Sequence, residues 1–125
     1  MKKKIHSDAA PKVIGAYSQA IQAGNTVYFS GQIPLNPNTM TLVSDDFREQ
    51  AEQVFKNLLA VCKAAGGSVS DIVKLTVYLT DLTHFPIFNE TMMRFFSEPY
   101  PARTTVQIAA LPKAAQIEID AIMVV

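Results

Sequence analysis

The chain has 125 residues, 49% of them apolar and 18% charged, which suits one globular domain spanning 1–125 and excludes a disordered chain. Eleven Lys and Arg balance eleven Asp and Glu, so no basic surface is set out for a phosphate backbone, and nucleic acid is not an expected partner. The lone Cys62 excludes an internal disulfide, Lys2-Lys3-Lys4 lead into no apolar leader, and no apolar run approaches the ~20 residues of a membrane helix; a cytoplasmic protein with no membrane partner is expected.

Residues 2–6 read as a short edge strand whose lysines discourage further pairing. Pro11 and Gly15 make the next stretch a loop, and a second strand begins between Tyr17 and Ile21. Gly24-Asn25 signals a turn. Thr26-Val27-Tyr28-Phe29-Ser30 follows as a β-branched and aromatic run that ends at Gly31. Pro34 and Pro37 then impose a loop.

Phe47, Ala51, Val54, Leu58, Val61 and Ala65 recur at alternating spacings of four and three, the apolar face of a helix. Asp46 is placed to cap it, with Glu49 three residues on, and Gly66-Gly67 end it. In "DIVKLTVYLT", Val73, Leu75, Val77 and Leu79 are expected on one face of a strand, and Lys74, Thr76, Tyr78 and Thr80 on the other. A second helix carries Phe85, Phe88, Met92 and Phe95 on one stripe, with Glu90 and Arg94 as an exposed i,i+4 pair. Strands near 103–110 and 116–125 close the chain around a loop at Pro112.

The order β-β-β-α-β-α-β-β gives an α+β fold: a two-layer sandwich of a six-stranded mixed sheet with two helices on one face. The other face keeps apolar residues, and an uncovered apolar face finds a partner, so a homo-oligomer is expected. If the last two strands pair as a hairpin, Arg103, Thr105, Gln107, Glu118 and Asp120 share that open face, while Val106, Ile108, Ile117, Ile119, Ala121 and Met123 lie under the helices. A guanidinium fork takes a carboxylate bidentately, and a nearby carboxylate can deprotonate a water. Such a face suits a small substrate with an anionic end and an electrophilic carbon. Charges at this density also occur as a solvated face or a structural ion pair.

"IGAYSQA", "VYFSGQIPLNP", "DIVKLTVYLTDL", "YPART" and "IEIDAI" stand in an order and spacing that resembles the Rid (YjgF) family of reactive-intermediate deaminases, whose relatives also carry endoribonuclease-like and translation-inhibitor labels. The resemblance runs from about Ile5 to Val124. It implies a chorismate-mutase-like fold that forms a homotrimer with a site between subunits. It also implies hydrolytic deamination of reactive 2-imino acids (2-iminobutanoate and 2-iminopropanoate) to 2-keto acids and ammonia, with no metal and no organic cofactor.

Carried onto these positions, Arg103 is the clamp for the substrate carboxylate, with the Gly31 N–H near the same group. Glu118 is the acid that holds the attacking water. Tyr17, Ser30 and Asn89 line the pocket, and Thr105 is expected among the substrate-binding residues. Asp120 matches an acidic position in many relatives, and no catalytic role is assigned to it. Thr105 stands where many relatives have cysteine, which removes thiol chemistry at that position but not imine hydrolysis.

Two other functions fit the same residues: a non-catalytic trimer that binds a small carboxylate, and an endoribonuclease or translation inhibitor, which the neutral charge disfavours. Cys62 is expected in the core, and His6 and His84 lack metal-ligand spacing.

Overall fold

A computed structural model describes residues 1–125. It contains β1 (Lys2–Ile5), β2 (Ala20–Ala23), β3 (Thr26–Gln32), α1 (Phe47–Ala64), β4 (Ile72–Leu79), α2 (Phe85–Phe95), β5 (Ala102–Gln107) and β6 (Ile117–Val124). This is the anticipated element order, and no helix is long and apolar enough to cross a membrane.

Helix α1 starts where Asp46 Oδ2 accepts the Glu49 N–H at 3.0 Å, a cap that contributes about 1 kcal/mol. It ends before Gly66, whose φ of +82° is left-handed. Phe47, Ala51, Val54, Leu58 and Val61 are buried, as their spacing requires. Truncating a side chain such as Leu58 to alanine would cost about 2–5 kcal/mol. Cys62 is also in this core, where burial first and Asp71 second push its thiol up to about 12, so it is inert.

Two buried polar residues of α1 hold loops in place. Gln50 accepts from the Gln116 N–H at 2.9 Å and donates to the Ser44 carbonyl at 2.9 Å. Asn57 donates to the carbonyls of Ile33 and Leu35 at 3.2 and 3.1 Å. The loop after β3 and the start of β6 are thereby tied to one rigid helix. Arg94 does not pair with Glu90 along α2. It donates to Glu52 of α1 at 3.2 Å, and Arg48 donates to Glu90 at 3.0 Å. The adjacent helix offers each charge a partner across the surface, at ~0–1 kcal/mol per pair.

The sheet has six strands in the order β1-β2-β3-β6-β4-β5. Only β4 and β5 are parallel, because α2 carries the chain over between them. Strand β6 then inserts antiparallel between β3 and β4. The last two strands are therefore not a hairpin: β4 separates them. Leu75, Val77 and Leu79 point to the helices beside Ala121, Ile119 and Ile117. Val73 does not join them. It is the extra residue where the β4–β6 register shifts between Ile72 and Lys74, and it is exposed while Ile72 takes the core position.

The face away from the helices carries exposed Tyr28, Val106 and Val124, with Ile122 and Tyr78 half-buried among them. An apolar face of this kind lies open on the protomer, as the sequence pattern led us to expect.

Candidate functional site

Pairing in parallel with β4 sets the direction of every side chain on β5. Arg103 stands beside Leu75, Thr105 beside Val77 and Gln107 beside Leu79, all on the helix-covered face. Glu118 stands beside Tyr78 and Asp120 beside Thr76, on the open face. The expected common face for Arg103, Thr105, Gln107, Glu118 and Asp120 is thus wrong, and Val106 lies on the open face, not under the helices. The antiparallel hairpin assumed for the alignment does not form, and the parallel crossover reverses which β5 residues face the helices. Tyr78, Ile122 and Val124, the apolar residues expected on the same face as Arg103, accordingly lie on the face opposite it.

Arg103 sits at the sheet edge, against α2. Its Nη1 donates to Asn89 Oδ1 at 2.8 Å and approaches Met92 Sδ at 3.3 Å. Its Cζ lies 5.1 Å from the Phe85 ring centroid and 5.6 Å from that of Phe88, each contact contributing roughly 0.5–1 kcal/mol. None of the three ion pairs in the protomer includes it. Asn89, Met92, Met93, Tyr100, Pro101 and Arg103 line a cleft of about 340 Å³. Of these, sequence reasoning found Arg103 and Asn89. Thr105, two residues along β5, has a buried Oγ1 with no partner. It does not line this cleft.

A second cleft, of about 450 Å³, is lined by Ile14, Tyr17, Ser30, Gly31, Ile33, Pro112 and Glu118. It gathers four of the residues singled out in the sequence: Tyr17, Ser30, Gly31 and Glu118. The register between β3 and β6 shifts between Phe29 and Gln32, which leaves Ser30 and Gly31 together opposite Asp120. The resulting bulge aims the Gly31 backbone at Glu118. A Cβ built on Gly31 would lie 2.5 Å from Glu118 Oε2, so only glycine permits this approach. Ser30 Oγ donates to the Ser18 carbonyl at 2.6 Å, which leaves only its lone pairs for another partner. Tyr17 Oη accepts the Ile14 N–H at 3.3 Å, which leaves its own proton free.

Glu118 is half-buried and makes no hydrogen bond within the protomer. Burial first, and the charge of Asp120 second, raise its carboxyl above the ordinary 4.5. Asp120 in turn accepts from Tyr78 Oη at 3.1 Å, and burial, this bond and both carboxylates raise the phenol. A carboxyl whose proton affinity is raised this way is a stronger base toward a bound water than an exposed carboxylate.

The residues that sequence reasoning missed are Ile14, Ile33 and Pro112 in one cleft, and Met92, Met93, Tyr100 and Pro101 in the other. The signal for the second set was present. Strand, helix, strand over 72–107 is the pattern of a parallel crossover, which would have turned Arg103 toward α2. No group of three or more His, Cys, Asp or Glu is placed to hold a metal ion.

The family model described as Endoribonuclease L-PSP matches residues 7–125. The chain belongs to the Rid (YjgF) family. Among its relatives, the 2-iminobutanoate/2-iminopropanoate deaminase of Dermatophagoides farinae is 46% identical over 124 residues, covering 99% of this chain and 97% of that one. The crystal structure of RidA from an Antarctic Psychrobacter species superposes with a TM-score of 0.95 at 52% identity, covering 98% of this chain and 99% of that one. TdcF of E. coli, solved with bound serine, has a TM-score of 0.94 at 44% identity, with 98% of each chain covered. Rid relatives thus include a protein named as an imine deaminase and one that holds a small amino acid.

Proposed function

We propose that the chain is a hydrolase that converts 2-imino acids, of the 2-iminobutanoate and 2-iminopropanoate class, to 2-keto acids and ammonia. Its site is composite, formed where the Arg103 cleft of one copy meets the Glu118 cleft of the next in a homotrimer. One observation carries this reading: each protomer holds a guanidinium with no carboxylate partner and a half-buried carboxylate with no cationic partner, in separate clefts on opposite faces. Uncompensated charges of opposite sign are complementary between copies, and a head-to-tail interface closing into a ring brings such patches together.

In that site Arg103 clamps the substrate carboxylate, with Asn89 holding the guanidinium and the Gly31 N–H close by. This places the imine carbon near Glu118. Glu118 orients a water and takes its proton as the oxygen bonds to carbon. Glu118 passes that proton to nitrogen, which gives a carbinolamine; it then relays the hydroxyl proton to the amine as the carbon–oxygen double bond forms and the carbon–nitrogen bond breaks, giving the keto acid and ammonia. General base catalysis contributes typically 10²–10⁴-fold, beyond what positioning supplies. Tyr17 offers its free phenol proton, and Ser30 shapes the wall. No residue in this scheme requires a metal or an organic cofactor.

The test uses two inactive variants. Arg103→Ala and Glu118→Gln should each abolish ammonia release from a dehydratase-generated imine, with semicarbazide as competing trap. Refolded together in equal amounts, they should recover roughly a quarter of wild-type activity, since random assembly leaves that share of interfaces with both native groups. No recovery would refute the composite site, and wild-type rates in either variant would refute the chemistry. A second reading is a non-catalytic small-carboxylate binder, favoured by the serine in TdcF. Binding of 2-oxobutanoate without imine turnover would select it.

A further inference from the structure

We infer that Met92, together with Phe88, is a positioning residue that holds Arg103 by neutral contacts and so leaves its anion-binding edge charged and free. The inference rests on the function proposed above for Arg103 and adds residues which that reading did not use. A guanidinium pairs strongly with a carboxylate, and a carboxylate here would neutralise the clamp. At this edge of the sheet, α2 supplies none. The Nη1 end meets an amide oxygen and a thioether sulfur, at 2.8 and 3.3 Å, and the guanidinium carbon lies near two phenyl rings. All four partners are neutral.

Helical spacing explains why they act together. Phe85, Phe88, Asn89 and Met92 occupy positions i, i+3, i+4 and i+7 of α2, so one stripe of a rigid helix presents them all. Phe88 and Met92 are buried, which fixes their rotamers. The cradle grips Nη1 and leaves Nη2 and Nε without a partner in the protomer. Those two donors are parallel and form one edge of the planar fork, the edge that takes a carboxylate through two hydrogen bonds.

Two substitutions separate this from a packing role. Met92→Leu conserves volume but removes the sulfur acceptor, so the fold should tolerate it. It should raise KM for the imino acid roughly 3–5-fold with kcat within about two-fold of wild type. Met92→Glu supplies the missing carboxylate; by pairing with Arg103 it should raise KM at least about ten-fold. A ligand-free readout runs alongside. In nitrogen-15 spectra of the wild-type protein the two Nη1 protons of Arg103 should exchange slowly, and Met92→Leu should speed that exchange. Unchanged KM or unchanged exchange in Met92→Leu overturns the inference, as does a loss confined to kcat. If wild-type protein turns over no imine, the proposed function fails, while the exchange comparison still decides whether Met92 holds the guanidinium.

Discussion

The close approach of Gly31 to Glu118 gives a prediction whose size follows from distances. In Gly31→Ala the new methyl would lie 2.5, 2.7 and 3.0 Å from Oε2, Cδ and Cγ of Glu118. Ordinary contact begins at 3.4 Å, so the carboxylate must retreat by about 0.9 Å. Misplacing a reacting group by ~1 Å costs on the order of 10²-fold, and kcat/KM for the imine should fall by that much. Stability should change little. Gly31 has no positive φ, and the displaced atoms end a flexible, half-exposed side chain, so the cost stays near 1 kcal/mol and Tm falls by roughly 2–5 °C. Gly67→Ala gives the contrast. Its methyl would meet Sδ of buried Met123 at 2.7 Å. There overpacking should cost about 1–3 kcal/mol, with kcat/KM unchanged. Coupled turnover and thermal melts on both variants decide the matter. If Gly31→Ala kept wild-type kcat/KM, the position of Glu118 would not matter to the reaction, and its role as the base would be refuted.

Glu118 also predicts a pH dependence of stability. Its carboxyl binds a proton more tightly in the folded state than unfolded, so it adds stability below 4.5 that is lost as pH rises through the raised value. Glu118→Gln should therefore gain more Tm over wild type at pH 7 than at pH 4, and an equal gain at both would contradict the burial of this group. Removing the second cause of the shift, in Asp120→Asn, should move the acid limb of the kcat/KM profile to lower pH; a limb that stays in place would show that Asp120 does not reach Glu118. Thr105→Val deletes a buried hydroxyl that has no partner, so stability should hold or rise by up to ~1 kcal/mol in denaturant melts; a loss would show that the hydroxyl is hydrogen-bonded in solution.

Several features follow from local rules that the sequence carries openly. Alternation marked β4 and β6 because one face of each meets the helices. The 3.6-residue stripe marked α1 and α2 for the same reason, and Asp46 and Gly66 mark the two ends of α1 through capping chemistry available to any chain. The identities of Arg103, Glu118, Gly31, Ser30, Tyr17 and Asn89 were legible through the family motifs. Their arrangement was not. Whether β5 pairs with β6 as a hairpin or with β4 in parallel is decided by non-local backbone hydrogen bonds, and the two choices place Arg103 on opposite faces. The sequence alone thus determined the elements, the layers and the chemical groups, each encoded by near neighbours in the chain. Only the tertiary structure decided that the guanidinium and the carboxylate occupy separate clefts, because strand order depends on residues far apart in sequence closing on one another.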